Sequence, residues 1–196
     1  MNRKEELNDL YLSYCKDPIF SHLRESGSSF VPGSGPLDCR VMIIGEAPGE
    51  IEDGRQIPFV GQSGANLAIL LQGVGIEISN VFYTNTVKYW TSYLDTKGIK
   101  RTRTPSEEEI KLSIPYLRKE IEIVEPTVIG LAGHAAITGL FPEIKNVFSR
   151  HGELLDDLFV PLYHPATLTH LDKSDLIPQI KSGYKKLKKY LDYFES

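Results

Sequence analysis

The stretch "VMIIGEAPGEIEDGRQIPFVGQSG" (residues 41–64) begins with four consecutive apolar side chains, breaks at Gly45, and then gathers Glu46, Glu50, Glu52 and Asp53 in one turn-rich segment. A short apolar run rich in β-branched residues and closed by glycine reads as a buried strand. Glycines directly after such a strand ordinarily suggest a phosphate cradle. Neither a P-loop nor a dinucleotide fingerprint is present, however, and the carboxylates would repel a phosphate. The stretch is therefore a strand followed by an acidic loop.

Three further apolar runs match it: "NVFYTN" (80–85), "PTVIGLAG" (126–133) and "LFVPLYH" (158–164). Helical patterns separate them. "SGANLAILLQGVG" carries an apolar stripe that ends at glycine. "TPSEEEIKLSIPYLRKEIEIVEP" opens with Thr104, Pro105 and Glu107, which predicts a capping box on Thr104, and Pro115 inside it predicts a kink. "GHAAITGLF" predicts a short helix in which His134 caps or packs, and residues 174–194 predict a last, basic helix. Alternating strands and helices predict the α/β class: three layers, α/β/α, around a central four-stranded, mostly parallel sheet. Ligands of such sheets lie beyond the carboxyl ends of the strands. Glu46, Asn85 and His164 stand at those ends.

With 196 residues, 41% of them hydrophobic and 24% charged, the chain suits one domain over 1–196. Its parts are an N-terminal arm and loop (1–38) and an α/β core (39–196) that ends in the C-terminal helix. Two cysteines, Cys15 and Cys39, exclude a disulfide framework, and both read as structural. No apolar run has the length of a membrane span, and the start "MNRKEELNDLYL" lacks a signal-peptide core. The expectation is a cytoplasmic monomer with no membrane partner. The net charge of −4 does not point to nucleic acid. Locally, "KGIKRTR" gathers Lys97, Lys100, Arg101 and Arg103, and "KSGYKKLKKY" gathers Lys181, Lys185, Lys186, Lys188 and Lys189. These are either solvated surfaces or phosphate-facing patches.

Several chemistries can be weighed. Glu46, Glu50, Glu52, Asp53 and His164 include metal-ligating types, but no tight ligand spacing such as HxxxH occurs. No GxSxG supports a serine nucleophile. Hydrolysis of a glycosidic bond needs an acid that handles water, a group that stabilises the leaving base, and an aromatic platform. Glu46 or a neighbour, His164 and Phe59 supply these types. Asn85 offers both a donor and an acceptor, which suits the O4 and N3–H edge of a uracil-like base. Each has a purely structural counterpart: a core ring for Phe59, a strand terminator for Asn85, a turn residue for His164.

In order, "GEAPGEIEDGRQIPFVGQSG", "YTNTVK" and "HPATL" resemble the uracil-DNA glycosylase superfamily, most closely family 4, over about residues 12–190. The resemblance implies a monofunctional DNA glycosylase that flips uracil, or a related modified pyrimidine, out of single- or double-stranded DNA. It assigns Glu46 to the attacking water and His164 to the base O2. It gives Phe59 the stacking role, Asn85 the polar edge, and Glu52 the pyrimidine 5-position. Gly45 and Ala47 would line the base site. Lys100, Arg101 and Arg103 would meet DNA, and Leu168 would wedge into the duplex; apart from the resemblance, His170 carries no specific signal and is a candidate only for a phosphate contact.

The family usually holds a [4Fe–4S] cluster on four cysteines. Here only Cys15 matches, while Tyr89 and Ser113 occupy two of the other positions. The expectation is no cluster and no other cofactor, with Trp90, Tyr93 and the neighbouring basic residues ordering the 89–113 segment instead. His151 in "RHG" stands near where some relatives place a histidine that captures the sugar covalently. The competing readings are a catalytically weak DNA-binding or modified-base-recognition protein on the same scaffold, and an interaction domain with no nucleic-acid role.

Overall fold

A computed structural model describes residues 2–144, 146–169 and 175–196; His170, and with it the phosphate contact suggested for it, lies outside the described residues. Four runs become strands: β1 (Val41–Gly45), β2 (Val81–Asn85), β5 (Val128–Ala132) and β6 (Phe159–Leu162). They form one sheet in the order β2-β1-β5-β6, and every pairing is parallel. A separate antiparallel ribbon, β3 (Ser92–Leu94) with β4 (Lys100–Thr102), lies between β2 and β5 in sequence. It occupies the stretch expected to be a basic loop. Its strands are three residues each, too short to show a periodic signal.

Alternation along each strand sends side chains to two cores. Met42, Ile44, Ile129 and Leu131 face a core closed by α1 (Arg3–Lys16), α5 (Glu107–Val124) and α6 (His134–Leu140). Val41, Ile43, Val160 and Leu162 face the opposite core, closed by α4 (Gln62–Gln72) and α7 (Ile177–Glu195). The result is a three-layer α/β/α fold. Short helices α2 (Ser21–Glu25) and α3 (Glu50–Arg55) complete the chain. The acidic loop expected after β1 is thus partly helical.

The start of α5 differs from the expected one. Its cap is Ser106, not Thr104. The Ser106 hydroxyl accepts from Glu109 N–H at 3.1 Å, and the Glu109 carboxylate accepts from Ser106 N–H at 2.7 Å. Both possible boxes have an acidic residue three positions on. The choice follows Glu109, which is also gripped by Arg103 through two bonds of 2.6 and 2.7 Å and approached by His22 at 3.2 Å. Pro115 sits inside α5 without ending it. His134 begins α6 but is exposed and makes no cap; Gly133 is the N-cap.

The first helices close on a nest of rings. Tyr14 stacks on Phe20 at 4.2 Å and meets Phe30, Tyr89 and Tyr116 edge-on or tilted. Its hydroxyl bonds Ser113 Oγ at 2.8 Å and accepts from Lys88 N–H. Tyr89 and Ser113 are themselves the packing that orders this corner. Tyr93 takes no part and is exposed. Trp90 instead ties the ribbon, its indole N–H donating to Thr102 Oγ1 at 2.9 Å.

Glu109 gives this corner a pH dependence. Burial alone would raise its carboxyl, but Arg103, the Ser106 N–H and His22 hold it down to about 2, below the ordinary 4.5. Its stabilisation is full above the unfolded value and disappears as pH falls from 4.5 through 2. Urea denaturation should therefore show Glu109→Gln losing roughly 2–3 kcal/mol at neutral pH, with the gap to the parent closing below pH 3.

Candidate active site

The carboxyl ends of β1 and β5 mark the point where the chain reverses its direction across the sheet. A cavity of about 370 Å³ opens there, lined among others by Glu46, Glu52, Phe59, Asn85 and His164. Thr102, Arg103, Thr104 and Pro105 form its other wall. Of that wall the sequence singled out Arg103 alone, as a DNA contact, because nothing else in "TRTP" distinguishes it from a helix approach.

Glu46 is set by the strand beside it. Thr86 donates through both its N–H and its hydroxyl to the Gly45 carbonyl, each at 2.9 Å, and Val87 N–H donates to the Glu46 carbonyl at 3.0 Å. With its backbone fixed, the Glu46 carboxylate accepts from Ala135 N–H at 3.2 Å. Gly133 lies between it and His164. A Cβ at Gly133 would stand 2.7 Å from Glu46 Oε1 and 3.0 Å from His164 Cδ2, and its φ of +108° already favours glycine.

His164 follows β6 and leads into a 3₁₀ turn (Pro165–Thr169) that Asn66 holds by donating to the Pro165 carbonyl at 3.0 Å. Ala166 N–H donates to His164 Nδ1 at 3.2 Å. Nδ1 is thus an acceptor, so the neutral ring carries its proton on Nε2. Burial lowers the imidazole below its ordinary value, and the charge of Glu46 opposes this only in part. The ring is thus a neutral donor at Nε2.

Asn85 is paired in register with Gly45. A Cβ on Gly45 would collide with Asn85 Oδ1 and come within 2.7 Å of Phe59 Cζ, so glycine here is what lets the amide and the ring converge. Among the described residues no group hydrogen-bonds the Asn85 side-chain amide. Its carbonyl, in contrast, accepts from Lys88 Nζ at 2.7 Å. Lys88 is buried; its ammonium also donates to Thr84 Oγ1 at 2.5 Å and Glu120 at 2.6 Å. All three donors are used. Burial pulls the Lys88 pKa down and the Glu120 charge opposes it. Glu120 also accepts from Thr84 and from the Tyr11 hydroxyl, so α1, β2 and α5 meet at one carboxylate. The motif residue Lys88 gave no sign of this, because a lysine after a strand reads as surface.

Phe59 presents a half-buried ring 5.9 Å from that of Tyr83, on a backbone with φ of +55°. Glu52 lines the cavity but spends its oxygens on the loop, accepting from Gly49 N–H at 3.2 Å and Gly61 N–H at 2.7 Å. Asp53 accepts from Ser29 N–H at 2.7 Å, and Glu50 is exposed. The acidic residues of this segment therefore diverge, and only Glu46 and Glu52 reach the cavity. Among the described residues no group of three or more His, Cys, Asp or Glu could hold a metal ion. An iron–sulfur cluster does not fit either. Beside Cys15, the corresponding positions hold the buried Tyr89 ring and a Ser113 hydroxyl already bonded to Tyr14 and to the Glu109 carbonyl.

Of the remaining candidates, Ala47 and Arg103 line the cavity and the others lie apart from it. Arg103 is bound to Glu109, and Arg101 Nε to Asp95 at 3.0 Å; Lys100 lies 4.4 Å above the Trp90 ring. Leu168 is half-buried against the core beneath α4 and α7. Ala47 lines the cavity. His151 is committed at both nitrogens: Nδ1 accepts from Tyr163 N–H at 3.2 Å, and Nε2 donates to the Gln179 carbonyl at 2.9 Å. That geometry straps β6 to α7 and leaves no lone pair for attack.

The family model described as "Uracil DNA glycosylase superfamily" matches residues 32–194. The chain is 30% identical over 196 residues to the Type-4 uracil-DNA glycosylase of Thermotoga maritima, covering 97% of this chain and 98% of that one. It is 31% identical to the Type-4 uracil-DNA glycosylase of Sulfurisphaera tokodaii, covering 84% and 79%. Among solved structures, Pedobacter heparinus SMUG2 is similar with a TM-score of 0.48 and 13% identity, over 81% of this chain and 75% of that one.

The buried pair makes a sharp forecast. Lys88→Met leaves Glu120 buried and unpaired and should cost about 3–5 kcal/mol in chemical denaturation. The double variant Lys88→Met with Glu120→Leu should recover most of that loss.

Proposed function

This chain belongs to the uracil DNA glycosylase superfamily, and on that footing we propose that it hydrolyses the N-glycosidic bond of uracil, or a related modified pyrimidine, in DNA. The observation that carries the reading is the Asn85 amide, unpartnered among the described residues, which converges with the Phe59 ring above Gly45 in the same cavity as the His164 Nε2–H and the Glu46 carboxylate.

A base inside a duplex cannot reach this cavity, so the target nucleotide is extruded, at a cost of a few kcal/mol offset by stacking on Phe59. Asn85 donates to O4 and accepts from N3–H, a pairing that cytosine reverses. The bond between C1′ and the base nitrogen breaks and the electron pair leaves with the base. His164 donates from Nε2 to O2, where the negative charge collects. The sugar becomes cationic in character, which the Glu46 carboxylate favours. A water held by Glu46 attaches its oxygen to C1′ and gives up one proton to the Glu46 carboxylate, from which it passes to the departed base anion. The products are free base and an abasic site. No cofactor takes part. An iron–sulfur cluster is absent from this reading, because the side chains of Tyr14, Tyr89 and Ser113 fill its corner. The purified protein is expected to lack iron–sulfur absorption in its visible spectrum; a brown protein with that absorption would overturn this part of the reading.

The competing reading, a catalytically weak DNA-binding or modified-base-recognition protein, leaves the aligned Glu46 and His164 without a task. The test is alkaline cleavage of labelled oligonucleotides carrying uracil or 5-substituted uracils, in single and double strands. Cleavage of the uracil strand is expected; DNA binding without abasic sites on any of them would favour the competing reading. In single-turnover measurements His164→Ala should slow excision about 10²–10³-fold, the loss typical of one oxyanion donor. Asn85→Asp, whose carboxylate can accept but not donate, should lose uracil excision.

A further inference from the structure

The ribbon β3–β4 stands beside the cavity with an unusual surface. Tyr93 is 54% exposed, Leu94 69% and Ile99 46%, and Lys97, Lys100 and Arg101 sit among them. Apolar side chains at such exposure need a partner or a reason. The tip is not a loose loop. Asp95 Oδ1 accepts from the N–H groups of Lys97 and Ile99, each at 2.9 Å, and Gly98 N–H donates to the Asp95 carbonyl at 2.9 Å. The root is equally fixed. Trp90 donates to Thr102, Arg103 N–H donates to the Thr91 carbonyl at 2.9 Å, and the Thr91 hydroxyl donates to the Arg103 carbonyl at 2.6 Å.

Register places Tyr93 opposite Arg101 and Leu94 opposite Lys100, so each face of the ribbon couples an apolar side chain to a cation. Among the described residues only Nε of Arg101 is engaged, by Asp95. Beyond Lys100 the same strand runs through Thr102 into the cavity wall. Apolar groups paired with cations, continuous with a site for an extruded base, match one chemistry: unstacked bases flanked by phosphates.

We propose that the β3–β4 ribbon is a DNA-engaging element, in which Tyr93, Leu94 and Ile99 pack against the bases next to the extruded nucleotide while Lys97, Lys100 and Arg101 hold the adjoining phosphates. The proposal rests on the glycosylase reading for the identity of the ligand. It gives the duplex contact to a part of the chain distinct from Leu168, which is half-buried in the core.

The test uses the full chain and a duplex with uracil beside 2-aminopurine, whose fluorescence rises when it unstacks. Tyr93→Ala with Leu94→Ala should weaken duplex binding about tenfold, in line with losing one stacked base, and remove the fluorescence rise. Lys97→Gln with Arg101→Gln should lower the slope of log affinity against log salt by about 2. Far-ultraviolet circular dichroism and melting of both variants, expected to match the parent, separate this from misfolding. The charge pair also provides a reading that does not depend on the apolar tip. If both folded variants bind as the parent does, with unchanged salt slope and fluorescence, the ribbon proposal falls while excision by the parent still supports the glycosylase reading. If the parent excises no base yet its DNA affinity drops in both variants, the ribbon proposal stands and the glycosylase reading falls.

Discussion

The buried ion pair between Lys88 and Glu120 is the constraint around which the site is organised. Two charges removed from water are costly, and they persist here because every donor and acceptor is met: Thr84, the Asn85 carbonyl and Tyr11 complete the shell. The geometry couples three elements to one carboxylate. It also fixes the backbone of Asn85 from below, so that the side-chain amide is turned to the cavity rather than consumed in the core. Stability and the placement of that amide are thereby linked through a single carbonyl oxygen.

Above this foundation the acidic loop divides its labour. Glu46 is directed into the cavity at the point where the chain changes direction across the sheet. Glu52 and Asp53 bind backbone N–H groups and keep the loop in shape. A segment that looks from its composition like a cluster of equivalent carboxylates holds one that faces the cavity and others that shape the loop. The neutral His164, with Nδ1 occupied by Ala166, supplies the complementary donor. In the proposed reaction the pair sets a negative charge against a sugar that becomes positive and a hydrogen-bond donor against a base that becomes negative.

Much of this was legible in the residues. Strands buried on both faces read as continuous apolar runs, so β1, β2, β5 and β6 and their polar ends stood out. Glu46, Asn85 and His164 followed from strand ends alone. What was hidden depends on tertiary partners. Glu120 lies on a helix whose stripe does not announce it, and its value comes from Lys88 in another element. The cap moved from Thr104 to Ser106 because Arg103 folds back on Glu109, a contact that spacing does not encode. The ribbon has too few residues per strand to be periodic. Tyr89 and Ser113 were visible as departures from the family's cysteine pattern, yet the ring nest that uses them needs Tyr14 and Phe20 from far away in the chain.

Phe59 carries a constraint of a different kind. Its left-handed backbone, with φ of +55°, costs roughly 1–2 kcal/mol for a residue with a side chain. Glycine would relieve that strain and remove the ring. A β-branched residue would deepen the strain and offer no flat face. Strain and ring are thus tied to each other at this position: glycine would free the backbone only by removing the ring, and another aromatic would keep a flat face only by keeping the strain.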